Sequence, residues 1–147
     1  MLLQIRPYML QEDRTRVQSF SALVSILANG DQTSGAFNVF DAICPAGFST
    51  PLHIHYLEAV AVYVLEGVLT FFCGDEKKIA QAGTYIFQPR GTPHGFRVDK
   101  ERPARVLYMT VPAGLDDFVM EHATEGYSDY TRDAARYKIE ILGMLPE

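Results

Sequence analysis

The chain has 147 residues, of which 48% are hydrophobic and 21% charged, and a formal net charge of −5. This length suits one domain with its own core. The acidic balance argues against nucleic acid and anionic membranes as partners, because both attract a basic face. No apolar run approaches the roughly 20 residues that span a bilayer, and the N-terminus lacks the pattern of a signal peptide. We therefore predict a cytoplasmic protein that binds neither nucleic acid nor membrane; its two cysteines are too few for a disulfide framework.

Short apolar segments bounded by glycine, proline and asparagine follow one another through the first three quarters of the chain. Their length and spacing are typical of strands in an all-β sandwich or barrel. Residues 2–5 predict the beginning of an edge strand, and the polar segment 11–16 predicts a loop. The other predicted strands lie at 21–27, 36–43, 59–65, around Ile79, and at 84–88, 94–98 and 105–111, with a hairpin turn at Cys73–Glu76.

The last thirty-odd residues have a different character. Residues 115–123 show helical apolar spacing with acids in the first turn. Ser128 or Asp129 is a suitable cap for a second helix that ends near Tyr137, and residues 138–142 look extended. We therefore divide the single domain into N-terminal strands at 1–34, a barrel core at 35–112, and C-terminal helices and tail at 113–147. His122 lies on this helical segment and is interpreted as a surface or packing histidine.

Two histidines stand two residues apart after a proline, at His53 and His55. In a strand such residues point to the same face. Two imidazoles side by side suit a metal ion with nitrogen ligands. Two surface histidines on an edge strand are the alternative, and this spacing alone does not decide between them.

A second pattern, formed by Gly83, Pro89, Gly91 and His94, lies further along the chain and supports the metal hypothesis. Together the two patterns resemble the motifs of the cupin superfamily, G-x5-H-x-H-x3-4-E-x6-G and G-x5-P-x-G-x2-H-x3-N. The resemblance covers about residues 35–112 and is strongest to small single-domain proteins described as quercetin 2,3-dioxygenase-like. The matching residues are Gly47, His53, His55 and Gly67 in the first motif and Gly83, Pro89, Gly91 and His94 in the second.

The resemblance implies a cupin jelly-roll β-barrel with a short C-terminal helical appendage. It also implies a divalent transition metal (Fe, Mn, Ni, Zn or Cu) bound by His53, His55 and His94. We expect the protein to be a homodimer. Three imidazoles on one face of a metal leave other positions open for substrate or O₂, which is typical of catalytic rather than structural sites.

The chain departs from the family pattern at two positions. The glutamate ligand of the family falls at Val60, and the asparagine of the second motif falls at Val98. Glu58 is the nearest carboxylate and the remaining candidate for a fourth ligand, although it is two residues early and is predicted to lie in a turn. Without the glutamate the site keeps the full charge of the metal, which favours an anionic ligand such as an enolate or catecholate.

Several apolar residues are candidates to line the pocket. If Val60 faces the cavity, strand parity predicts that Val62 does too, while Tyr63 faces away. Val98 takes a position in the second motif that is usually polar. Phe87 and Phe96 are aromatic candidates for contact with a planar ligand, and core packing is the alternative for both.

These observations lead to three hypotheses of function, each with a small molecule as the partner. The first is a metal-dependent, dioxygenase-like oxidoreductase that acts on a phenolic or enolisable substrate. The second is a non-catalytic cupin that binds a small molecule and has a vestigial or absent metal site. The third is a metal-dependent isomerase or lyase. The residues do not assign a catalytic group or an organic cofactor.

Overall fold

The computed structural model describes residues 5–122 and 130–147. Within these residues the chain forms eleven strands and two short helices. The strands are β1 Thr15–Ser19, β2 Ala22–Ala28, β3 Asn38–Cys44, β4 Leu52–His55, β5 Ala59–Glu66, β6 Val68–Cys73, β7 Glu76–Gln81, β8 Tyr85–Gln88, β9 His94–Val98, β10 Ala104–Val111 and β11 Ile139–Gly143. The helices are α1 Leu115–Glu121 and α2 Tyr130–Arg136.

The strands form two antiparallel sheets. One sheet has six strands in the order β1-β2-β3-β10-β5-β8, and the other has five in the order β11-β4-β9-β6-β7. Each sheet is a separate hydrogen-bonded unit, so the molecule is a jelly-roll-like sandwich of two sheets rather than one continuous closed barrel. The predicted all-β class is confirmed.

The core lies between the two sheets, and strand β5 shows how the sequence directs side chains into it. Val60, Val62 and Val64 are buried, whereas Tyr63 between them is 42% exposed. This alternation confirms the predicted parity of the strand. Buried residues of β6 and β9 belong to the same hydrophobic cluster. Each valine removed from water in this way stabilises the fold by about 1.5–3 kcal/mol relative to an exposed one.

The N-terminal segment joins the six-stranded sheet through β1 and β2, which pair with each other and, through β2, with β3. The predicted loop at 11–16 is wrong at its end, because Thr15 and Arg16 already belong to β1. The polar surface of this edge strand concealed it, since only one of its five residues is buried. Most of the predicted strand at 2–5 lies outside the described residues.

The C-terminal segment contributes a strand as well as two helices. The extended stretch predicted at 138–142 is β11, which pairs with β4 so that Ile139 lies opposite His55 and Ile141 opposite His53. The tail therefore forms the edge of the sheet that carries both histidines, and the predicted helical appendage describes only part of 113–147. The predicted caps Ser128 and Asp129 lie outside the described residues.

The helices pack against the first strands through aromatic rings. The ring of His122 lies 4.4 Å from that of Phe118 and 5.5 Å from that of Phe20. Its Nε2 is 3.1 Å from a carboxylate oxygen of Asp133. His122 is thus a packing histidine, as predicted. In the part of the chain that the structure describes, no helix is long and apolar enough to cross a membrane.

Candidate metal centre

Three buried imidazoles meet between the sheets. His53 and His55 lie on β4, and His94 begins β9, where it is the antiparallel partner of His53. The ring centroids are 4.4 to 5.3 Å apart. One potential ligand atom from each residue lies within 4.8 Å of the others. The structure therefore brings together the three histidines that the motifs predict.

Backbone contacts orient these rings. The Nδ1 atoms of His53 and His94 each lie 2.8 Å from a carbonyl oxygen two residues earlier, on Pro51 and Thr92. A carbonyl only accepts, so each Nδ1 carries the proton and donates it. The lone pair of each ring is then on Nε2. The loop before β9 is also tied to β4, because the Gly91 amide donates to the His55 carbonyl at 2.8 Å.

Burial keeps His53 and His94 neutral. It holds the pKa of His53 well below its usual range, and the neighbouring rings of His94 and His55 add to the effect. Burial also lowers the pKa of His94 to about 4. Neutral imidazole is the form that binds a metal, so at pH 7 no proton has to be displaced from either ring.

The donor set fits a divalent transition metal. The Nε2 of His94 is buried without a hydrogen-bond partner in the described residues, and an unpartnered buried nitrogen costs about 1–3 kcal/mol. A metal ion within reach of three imidazoles would satisfy that atom. Imidazole ligands suit zinc, copper, iron and nickel.

Glu58 lies in the turn between β4 and β5, as predicted, but its side chain is buried, with only 4% of the residue exposed. One carboxylate oxygen, Oε2, is 3.4 Å from the Nδ1 of His55. Among the described residues the three-ligand group contains the histidines alone, so Glu58 is adjacent to a candidate ligand rather than one of the group.

Four of the five candidate pocket residues face the space between the sheets. Val60 and Val62 are buried on β5, and Phe96 and Val98 are buried on β9. All four belong to the hydrophobic core cluster. Their contact with a ligand stays a prediction.

The prediction that Phe87 lines the pocket is wrong, because Phe87 lies on the outer face of the six-stranded sheet and is 57% exposed. In the register of β5 and β8 it stands opposite Ala61, while Gln88 stands opposite Val60. The inward residues of β8 are therefore Ile86 and Gln88. Sequence reasoning missed this because aromatic character was weighed without strand parity.

A row of polar side chains flanks Val60 and was also missed. Gln88 and Thr110 are its partners on the neighbouring strands, and Asn38 is the next partner beyond Thr110. All three are buried. The Asn38 Oδ1 accepts from the Thr110 hydroxyl at 2.7 Å and the Gly114 amide at 3.2 Å. The amide nitrogens of Asn38 and Gln88 have no partner in the described residues, so both can donate to a bound molecule.

Two further groups approach the centre. Tyr108 on β10 lies opposite Val62 and Phe40 and remains half-buried, so it borders the interior where solvent reaches it. Burial and the charge of Glu58 raise the pKa of its hydroxyl, which stays protonated. Cys73 is the antiparallel partner of His94, and burial raises the pKa of its thiol. Aromatic character makes Tyr108 a candidate for contact with a planar ligand, with core packing as the alternative, whereas the position of Cys73 depends on strand pairing alone.

A separate acidic groove of about 710 Å³ lies between the β2–β3 loop and α1. Asp116 within it accepts hydrogen bonds from the amides of Gly30 and Gly114, at 2.9 and 3.0 Å. Backbone amides therefore satisfy the Asp116 carboxylate, and the groove gives no reason to infer a bound ligand. The three histidines are not among its lining residues.

The fold and the three-histidine cluster define a class: a jelly-roll protein with a candidate metal centre between its sheets. Comparison with known proteins points to one family. A family model described as a cupin domain matches residues 41–110, which contain all three histidines. This match supports a member of the cupin superfamily.

Individual relatives agree with this family. The chain is 30% identical over 103 residues to quercetin 2,3-dioxygenase from Bacillus subtilis, covering 69% of this chain but only 31% of that protein. A solved RmlC-like cupin from Shewanella frigidimarina matches with a TM-score of 0.66 and 19% identity, covering 80% of this chain and 99% of that one. The polyketide cyclase RemF from Streptomyces resistomycificus matches with a TM-score of 0.61 and 23% identity, over 73% and 80% of the two chains. At these identities the solved structures support the fold alone.

Proposed function

We propose that this cupin holds a divalent transition metal through His53, His55 and His94 and acts as a dioxygenase-like oxidoreductase on a small phenolic or enolisable substrate. The observation that carries the proposal is the meeting of three buried imidazoles, with ligand atoms within 4.8 Å and an unpartnered Nε2 on His94. The 30% identity to a quercetin 2,3-dioxygenase supports the reaction class. Because the chain spans less than a third of that relative, its substrate and activity are carried over only as a proposal.

A metal bound there would supply a Lewis acid with open positions for the substrate anion and O₂. The chain's own residues would orient the substrate. The amide nitrogen of Gln88 is free to donate to a substrate oxygen from the wall formed with Val60. The Tyr108 hydroxyl, kept protonated, would donate from the neighbouring row. Hydrocarbon from the buried valines would exclude water from the apolar part of the substrate.

A non-catalytic small-molecule-binding cupin is the second candidate. The observation that favours it is the burial of Val60 and Val98, at 0% and 1% exposure, where the family pattern has polar residues. In that case the same interior would bind an apolar molecule without a metal. No feature of the chain favours the isomerase or lyase hypothesis over these two.

Metal analysis separates the first two candidates. Protein purified without a nickel column should carry, or take up from Fe²⁺, Mn²⁺ or Zn²⁺, close to one equivalent per chain by mass spectrometry. His94→Ala should lose most of it. His122→Ala is the matched control, because it removes an imidazole that packs away from the centre. Less than about 0.1 equivalent after metal addition would contradict the enzyme proposal, since a poised site binds more tightly.

Oxygen uptake then tests the reaction class. The metal-loaded protein should consume O₂ with a flavonol or a β-diketone, and His53→Ala should not. Binding of either compound without O₂ uptake, under every metal tried, would favour the non-catalytic candidate. The homodimer and the cytoplasmic location remain predictions from the sequence, and size-exclusion chromatography with light scattering tests the first.

A further inference from the structure

Glu58 is an acidic residue whose side chain is buried beside a candidate metal ligand. Its carboxylate is buried at the turn before β5, where an ionised group is costly unless a donor or cation accompanies it. Its Oε2 is 3.4 Å from the His55 Nδ1, and neither atom has a hydrogen-bond partner in the described residues. Its Oε1 occupies the space that a side chain at Gly114 would need, 3.1 Å from the position of a Cβ there. The absence of a side chain at Gly114 thus leaves room for one carboxylate oxygen while the other lies beside His55.

The three histidines share an arrangement that extends to Glu58. In each ring Nδ1 lies next to an oxygen outside the cluster. For His53 and His94 the oxygen is a backbone carbonyl at 2.8 Å. For His55 it is the carboxylate of Glu58. In all three rings this arrangement leaves Nε2 for the shared centre.

We propose that Glu58 is a positioning residue for His55: it accepts a hydrogen bond from Nδ1–H, keeps Nε2 unprotonated and directed at the centre, and supplies a negative charge one residue removed from the metal. This inference rests on the proposed metal site and specifies its charge. A carboxylate behind a ligating histidine fixes the ring and raises its basicity. In the family pattern a carboxylate at position 60 binds the metal directly. In this chain the carboxylate of Glu58 would instead contact His55, which binds the metal.

The separation of 3.4 Å is longer than the roughly 2.8 Å of a formed charge-assisted bond. Closing it requires a displacement of about half an ångström, which a rotation of the His55 ring on metal binding would supply. The carboxylate would then be partnered and the ring locked. Glu58 acts through His55, so its removal should change metal affinity without changing the set of ligand atoms.

The test uses Glu58→Gln and Glu58→Ala in the full chain, with Glu66→Gln as the matched control on an exposed carboxylate of β5. Chelator competition with Zn²⁺ should show affinity weakened about 10- to 100-fold in Glu58→Ala and less in Glu58→Gln, whose amide oxygen still accepts a hydrogen bond from Nδ1–H. The control should match the parent. X-ray absorption of the Zn²⁺ forms should show the same ligand atoms in parent and variants. Unchanged affinity, or loss of an oxygen ligand in Glu58→Ala, would overturn the inference; the latter would make Glu58 a direct ligand.

A metal-free readout separates this inference from the proposed function. Nitrogen-15 NMR of the metal-free protein at pH 8 should show His55 as the Nδ1–H tautomer in the parent and in Glu66→Gln, and a mixture in Glu58→Ala. A parent that binds no metal would overturn the proposed function, while this tautomer pattern would still establish that Glu58 positions His55. An Nε2–H tautomer in the parent would refute the positioning role even if metal binds.

Discussion

Val60 and Gln88 face each other across β5 and β8, both with 1% exposure or less. A hydrocarbon side chain thus stands at the family's ligand position, and beside it stands a carboxamide whose nitrogen has no partner in the described residues. Such an amide costs stability in the empty protein. A bound molecule that accepts a hydrogen bond from this amide would offset that cost.

Val60→Glu should raise the affinity for a divalent metal about tenfold or more, which corresponds to about 1.4 kcal/mol. The carboxylate would add an anionic ligand to three neutral ones, and the Gln88 amide is placed to hydrogen-bond its second oxygen. Chelator competition measures the affinity.

Val62→Glu is the matched control for that variant, because it places the same charge one row further along the inner face. It should lower the free energy of unfolding without a gain in metal affinity, since a buried charge without a partner is costly. Equal metal affinity in the parent and Val60→Glu would show that position 60 does not face the metal.

Gln88→Leu should leave the free energy of unfolding of the metal-free protein unchanged or raise it by up to about 1 kcal/mol, because it removes an unpartnered buried amide. It should also weaken binding of a flavonol to the metal-loaded protein. Urea denaturation and fluorescence titration measure the two effects. Gln81→Leu, on the exposed face of β7, should affect neither. A large loss of stability in Gln88→Leu would mean that the amide has a structural partner.

Gly95→Ala should lower both stability and metal affinity. A Cβ at Gly95 would lie 2.6 Å from the side chain of Leu145 and 2.8 Å from the carbonyl oxygen of Pro51. That carbonyl accepts a hydrogen bond from the His53 Nδ1, so its displacement should disturb a proposed metal ligand. We expect the free energy of unfolding to fall by about 1–3 kcal/mol, as for other overpacked sites.

Gly30→Ala is the control, because its Cβ would meet Ala113 at 3.2 Å, away from the histidines. Thermal unfolding and chelator competition compare the two variants. If Gly95→Ala binds metal as tightly as Gly30→Ala, the Pro51 contact does not position His53.

The stability of the metal-free protein should fall as the pH is lowered from about 6.5, the ordinary histidine pKa, towards 4. The folded-state pKa of His94 is about 4 because of burial, so the unfolded chain binds more protons throughout this interval. By linkage, the contribution of His94 to the free energy of unfolding is complete above about pH 6.5. At pH 4 this contribution is smaller by about 3 kcal/mol. The lowered pKa of His53 acts in the same direction.

Urea denaturation between pH 7 and pH 4.5 measures this slope, and His94→Gln should make it shallower. A free energy of unfolding that is constant over the interval would show that the histidines are accessible to protons in the folded protein.

The three histidines could be predicted from the sequence because their evidence is local. Spacing of two residues on a strand places His53 and His55 on one face, and the turn-rich approach to His94 belongs to a motif that the chain carries in register. Parity likewise predicted the inward direction of Val60 and Val62. Parity on β8 would also have excluded Phe87 and found Gln88, had the register with β5 been known.

The residues around the histidines depend on pairings between distant segments. Thr110 and Gln88 meet Val60 through two different neighbouring strands, and Tyr108 borders the interior through the same register. The C-terminal strand reaches β4 from the far end of the chain. No short window of sequence contains these contacts, because register is set by which faces the sheets bury together.

The sequence by itself indicated the all-β class through the length and spacing of its apolar segments, and the resemblance to the cupin motifs indicated the three histidines and the absence of the family glutamate. Only the tertiary structure decided where the nearest carboxylate lies. Glu58 is two residues early for a ligand position, yet the turn buries its carboxylate beside His55 and the open space at Gly114 accommodates it. The path of a turn is set by the sheets on either side of it, which is why the side chain's position could not be read from the sequence.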